Sequence, residues 1–99
     1  LKLTELDPRK LTRNDELLGL AFLCPCCRKE YLTFFLQPTS YKDQKSLVEA
    51  EIGNGLWVPC AADYNWSAAN EDDLSRITVR PSIGIDGHWR GVITDGKCS

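Results

Sequence analysis

Two apolar runs dominate the first third of the chain. Leu20-Ala21-Phe22-Leu23 is unbroken, whereas residues 30–37 alternate and put Leu32, Phe34 and Leu36 on one face at period two. Both runs read as strands, and the segment between them, Cys24-Pro25-Cys26-Cys27-Arg28-Lys29, reads as the turn of a hairpin. Upstream, Leu3 and Leu6 predict a short strand and Asp7-Pro8 a turn. Asn14-Asp15-Glu16 predicts a brief helix through Leu17 and Leu18, closed by Gly19. Downstream, residues 38–46 are polar and read as loop, and residues 47–52 fit either a short helix or a strand. Asn54-Gly55 is a tight-turn signal feeding the strand Leu56-Trp57-Val58, which Pro59 stops. Residues 60–73 look like loop but carry Tyr64 and Trp66, which are large enough to need cover. Ile77, Val79 and Ile83 mark a strand interrupted by Pro81. Residues 88–94 mark another, turned at Asp95-Gly96 to return through Lys97-Cys98.

The predicted class is mainly β, a small α+β domain: compact, antiparallel, built of hairpins and stabilised by a Cys-rich metal site. Its expected core is Phe22, Leu32, Phe34, Leu36, Trp57, Val79, Trp89 and Val92.

The length of 99 residues leaves room for one domain, residues 1–99. A chain that is 42% hydrophobic and 26% charged is in the globular range, which excludes disorder and fibrous repeats. No apolar run approaches the roughly 20 residues of a membrane-spanning helix, so no membrane partner is expected. The net charge of −2 argues against a protein that coats phosphate backbones, and a protein partner is expected instead of nucleic acid.

The five cysteines change the picture most, because an odd number cannot pair completely within one chain. Three sit together at Cys24, Cys26 and Cys27, unlike the dispersed cysteines of a secreted disulfide scaffold. A reducing cytoplasm and a metal site are therefore the expectation. Cys24 and Cys27 have the Cys-X-X-Cys spacing that lets two thiolates on a tight turn face one cation, here structural Zn2+. Cys98 and Cys60 are candidates for the other two positions, with His88 the alternative fourth ligand. Bringing them close requires the C-terminal hairpin to lie beside residues 20–27. Cys26 either replaces Cys27 or packs as a small apolar residue. Buried free thiols and a redox dithiol are competing readings; a dithiol favours a helix N-terminus, where strand is expected here.

Ser82 and His88, the only histidine, lie six residues apart across a glycine-containing turn. Such a pair serves as nucleophile and base if the imidazole reaches the hydroxyl and a carboxylate orients the ring; Asp86, Asp95 and Asp63 are the carboxylates at hand. The competing reading makes Ser82 a turn residue and His88 structural or a metal ligand. Monooxygenase chemistry is set aside, because it needs copper, iron or flavin and the chain has neither a histidine cluster nor a Gly-rich dinucleotide loop.

The order Phe22-Leu23-Cys24-Pro25-x-Cys27, Leu56-Trp57, Asp73-Leu74, Thr78-Val79-Arg80-Pro81-Ser82-Ile83, Gly87-His88-Trp89 and Gly91-Val92-Ile93-Thr94-x-Gly96 spans most of residues 20–98. It resembles a family of small phage and prophage proteins, many of which carry an "ammonia monooxygenase" label. That family resembles in turn a bacterial domain of ubiquitin-like conjugation operons, thought to be a serine peptidase with bound zinc. The resemblance implies Cys24, Cys27 and Cys98 as metal ligands, Ser82 as nucleophile and His88 as its base. The relatives place a cysteine just ahead of the histidine, where this chain has Ile85-Asp86-Gly87; Cys60, Asp86 or His88 then completes the site, or the metal is lost. Since His88 cannot be both zinc ligand and base, two functions stand. One is a zinc-stabilised module binding a host or phage protein in the host cytoplasm. The other is a minimal Ser/His peptidase acting on an exposed peptide or ubiquitin-like tail.

Overall fold

The computed structural model describes residues 1–61 and 64–99. A short 3-10 helix at Leu3–Leu6 precedes strands β1 (Arg9–Arg13), β2 (Glu16–Leu23) and β3 (Tyr31–Phe35). Helix α1 (Tyr41–Ile52) follows, then strands β4 (Trp57–Pro59), β5 (Ser67–Ala69), β6 (Thr78–Ile85), β7 (Trp89–Thr94) and β8 (Lys97–Cys98). The strands form two four-stranded sheets, in the orders β1-β2-β3-β4 and β5-β6-β7-β8. Pairing is antiparallel throughout except between β3 and β4, which the α1 crossover makes parallel. The mainly β architecture expected from the alternation of apolar positions is the one observed.

The main core lies between the sheets. Leu20, Phe22, Leu32 and Phe34 of the first sheet meet Val79, Ile83, Ile85 and Ile93 of the second, with Leu3 and Leu6 of the 3-10 helix closing one side. The other face of the first sheet is covered by α1, whose Val48 packs with Leu11, Leu18, Ala21 and Phe35. Strand β2 is thus buried on both faces, which is why residues 17–23 are almost wholly apolar. Leu18 and Leu20, two apart, belong to opposite cores. The register slips at this point, Leu11 pairing with Gly19 and Thr12 with Leu17, and the extra residue in β2 is a bulge that turns Leu18 toward the helix.

Several local expectations are corrected. The segment Leu3–Leu6 is 3-10 helix, not strand. Asn14 and Asp15 do not start a helix: both take positive φ (52° and 64°), forming the tight turn between β1 and β2. Residues 38–46 are not all loop, because Ser40 caps α1 by accepting the Asp43 N–H and the helix begins at Tyr41. Its outer turns are polar because only one stripe of it is covered. Within residues 60–73, Ser67–Ala69 adds edge strand β5. Trp66 is buried, its indole N–H directed at the Ser82 carbonyl, whereas Tyr64 is exposed. Pro81 does not end its strand; β6 runs through it, with a register shift between Val79 and Ile83 and a cis Arg80-Pro81 peptide. Of the expected core, Phe22, Leu32, Phe34 and Val79 are buried, and Leu36, Trp57 and Trp89 are half-buried. Val92 is 40% exposed, because the inward face of β7 carries Trp89, Gly91 and Ile93.

Two hairpin ends meet at one corner of this sandwich. The β2–β3 turn holds the three clustered cysteines, and the β6–β7 turn holds His88. Phe22, two residues before Cys24, packs edge-to-face against Trp89, with ring centroids 5.9 Å apart. That contact fixes the two turns side by side.

Candidate metal centre

Cys24 continues the hairpin by one rung, its N–H donating to the Glu30 carbonyl at 2.9 Å. The chain then reverses: the Arg28 N–H returns to the Cys24 carbonyl at 2.9 Å, and Arg28 takes a left-handed φ of 54°. This reversal aims backbone amides at both sulfurs. Cys24 Sγ is met by the N–H groups of Cys27 and Cys26, and Cys27 Sγ by those of Lys29 and Glu30. The two thiols respond differently. Burial pushes Cys24 above its ordinary value despite the amides. Cys27 is exposed, and the Lys29 and Glu30 amides lower it to about 7, helped by His88 and Cys24.

His88 arrives from the other hairpin. The β6–β7 turn is short, with the His88 N–H donating to the Ile85 carbonyl at 3.0 Å and Gly87 supplying a φ of 80°. The ring is held between two groups of the first hairpin. Nδ1 lies 4.0 Å from Cys27 Sγ, and Nε2 lies 3.2 Å from Glu30 Oε2. With Glu30 as acceptor for the Nε2 proton, the Nδ1 lone pair faces the sulfurs, the carboxylate–histidine arrangement found behind metal-binding imidazoles.

Cys24 Sγ, Cys27 Sγ and the His88 nitrogen all lie within 4.8 Å of one another, close enough to bind one metal ion. Tetrahedral bonds of about 2.3 Å to sulfur and 2.0–2.1 Å to nitrogen put such donors roughly 3.6–3.8 Å apart, so the observed spacing needs only small side-chain adjustments.

The other sequence candidates lie elsewhere. Cys98 is buried opposite Ile93, four residues along β7 from Trp89 and so about 13 Å from the His88 turn. Its N–H donates to the Leu1 carbonyl, and burial raises its thiol to about 11. Cys60 is also buried, with its thiol directed at the Gly84 carbonyl at 3.7 Å. Neither belongs to the group of three donors found among the described residues. Cys26 is exposed and outside it as well.

Ser82 and His88 do not meet. Ser82 is exposed on β6, three residues before the strand end at Ile85 and hence about 10 Å along it. It borders a hollow of about 360 Å³ lined by Val79, Arg80, Pro81, Ser82, Val92 and Thr94, which holds neither a histidine nor a carboxylate. Of the carboxylates considered for the ring, Asp86 is ion-paired with Arg90 and Asp95 sits at the far β7–β8 turn. Asp63 lies outside the described residues. The carboxylate that does face the imidazole is Glu30, which sequence reasoning missed. Its only sequence signal is an acidic residue at the foot of the strand that follows a cysteine turn.

No protein-family model matches the chain, and neither a curated protein nor a solved structure gives a significant match. No helix among the described residues is long and apolar enough to cross a membrane.

Proposed function

We propose that the chain is a zinc-clamped protein-interaction module. In this reading Cys24, Cys27 and His88 hold Zn2+, which ties the β2–β3 turn to the β6–β7 turn and fixes the surface around them for a protein partner. The observation that carries the reading is the convergence of His88 on Cys24 and Cys27 from 61 residues beyond Cys27, with Glu30 on the far side of its ring. Two thiols and an imidazole within 4.8 Å of one another are a donor set that suits zinc among the common divalent ions. The amides around each sulfur favour the deprotonated form a metal needs, and Glu30 selects the tautomer that leaves Nδ1 free. Arg28 and Lys29 on one turn, and Asp86 and Arg90 on the other, form an exposed charged rim. Such a rim suits a polar protein partner, a host or phage protein as the resemblance to small phage proteins implies, in a reducing cytoplasm that keeps thiolates available.

The test is metal content and its consequence. Protein purified without chelator should carry about one zinc per chain, and its removal should lower the melting temperature, because metal binding to the folded state alone is folding free energy. Protein that is metal-free as isolated, takes up no added zinc and melts identically with chelator would refute the reading.

A further inference from the structure

A tetrahedral metal takes four donors, and among the described residues this corner supplies three. Among the described residues, the other donors stand outside this group or are engaged elsewhere. Cys26 is exposed and stands outside the group of three donors. The Cys60 thiol faces the Gly84 carbonyl. Glu30 faces the outer imidazole nitrogen, and Asp86 is paired with Arg90.

The three donors are graded in exposure. Cys24 is fully buried, the His88 side chain is 20% exposed, and Cys27 lies in solvent. Burial of Cys24 against the core and exposure of Cys27 put the fourth tetrahedral position on the outer, solvent side. A divalent ion with two thiolates and a neutral imidazole has no net charge. The exposed cations Arg28 and Lys29 then favour an anion as the incoming donor, the charge of Arg90 being met by Asp86. Among anionic donors, the softness of a zinc centre already carrying sulfur favours thiolate over carboxylate.

We infer that the fourth position of this centre takes a thiolate from outside the chain that carries it, so that the corner is a binding site for a thiol. The inference rests on the metal reading above and gives its partner a chemistry. The incoming thiol releases its proton to solvent and forms a metal–sulfur bond in place of a solvent ligand, with no electron transferred. The donor is either a small free thiol or a cysteine side chain, and the exposed Cys26 of a second copy is one such side chain.

Cobalt(II)-loaded full-length protein in thiol-free buffer provides the test, since sulfur-to-cobalt charge-transfer absorbance counts thiolates. The starting spectrum should correspond to two thiolates and should be unchanged in Cys26→Ser, Cys60→Ser and Cys98→Ser at low protein concentration. Adding 2-mercaptoethanol should raise the charge-transfer intensity about 1.5-fold, from two thiolates to three, in a saturable titration. Sedimentation separates the two sources. Metal-dependent dimerisation at high concentration, lost in Cys26→Ser, identifies a second copy as donor, whereas a monomer at all concentrations leaves the site to free thiols or other cysteines. Cobalt that binds with a three-thiolate spectrum, one of which disappears in a single cysteine variant, would overturn the inference while leaving the metal reading intact. Bound cobalt that ignores the added thiol would do the same. Failure to bind any metal would overturn both.

Discussion

The turn at Cys24–Cys27 and the strand at Pro81-Ser82 each place a nucleophilic side chain at the edge of the same core, and they differ in what surrounds it. Around the cysteines, backbone amides point at both sulfurs, a histidine comes in from a distant hairpin, and a carboxylate faces the histidine's far nitrogen. Around Ser82 there is a strand exposed on its outer side, and its carbonyl serves to satisfy the buried Trp66 indole. A reactive side chain becomes a site when other elements are spent on orienting it. By that measure the cysteine corner has the surroundings of a candidate metal site, and the Pro81-Ser82 segment contributes to packing.

The largest effect expected from this comparison is at Cys24. Cys24→Ser removes a buried sulfur donor, so zinc should be released and thermal stability should fall by about 3 kcal/mol or more, roughly 12–24 °C for a domain of this size. Differential scanning calorimetry with and without chelator checks it; the variant should no longer respond to chelator. Glu30→Gln comes next. It keeps the ligands but weakens the acceptor behind His88, and zinc affinity should drop by about 10–100-fold with the fold retained. Competition with a chromophoric chelator measures it, and an unchanged affinity would remove Glu30 from the centre.

A smaller effect concerns the metal-free thiols. The fold lowers Cys27 to about 7 and raises Cys24. Alkylation of Cys27 by iodoacetamide should therefore climb through pH 7 and level off above it, while Cys24 should stay slow across that range. At pH 7 the gain in thiolate, offset by its lower nucleophilicity, makes Cys27 about fivefold faster than an exposed thiol of ordinary pKa. Peptide mass spectrometry over a pH series follows both, and bound zinc should protect both. The smallest effect sharpens the other side of the comparison. Ser82→Ala lies on an exposed surface and should leave metal content unchanged and stability within about 0.5 kcal/mol. A large loss of zinc in that variant would link the two regions after all.

Legibility of the fold followed how local its causes are. The β2–β3 hairpin could be read because alternation at Leu32, Phe34 and Leu36 and a turn-forming cysteine segment are neighbours in sequence. The β7–β8 turn at Asp95-Gly96 was readable for the same reason. Asn14-Asp15 misled because the same small polar residues that cap helices also adopt the positive φ of a tight hairpin turn. Helix α1 was half hidden because its exposed first turns carry no apolar stripe; the stripe becomes dense only near Leu47 and Val48.

At the site, the Cys24/Cys27 spacing was local and readable. The choice among Cys60, Cys98 and His88 was not, because it depends on which end of the second sheet lies against the cysteine turn. That is decided by core contacts such as Phe22 with Trp89. Glu30 could not be singled out, since its role exists only once His88 has arrived.

X-ray absorption at the zinc edge, on the purified protein in thiol-free buffer, tests the central claim most directly. The account predicts two sulfur neighbours at about 2.3 Å, with imidazole nitrogen and one further light donor at about 2.0–2.1 Å. A shell of three or four sulfurs in protein that sedimentation shows to be monomeric would place its own Cys60, Cys98 or Cys26 at the metal and contradict the assignment of Cys24, Cys27 and His88 as its ligands.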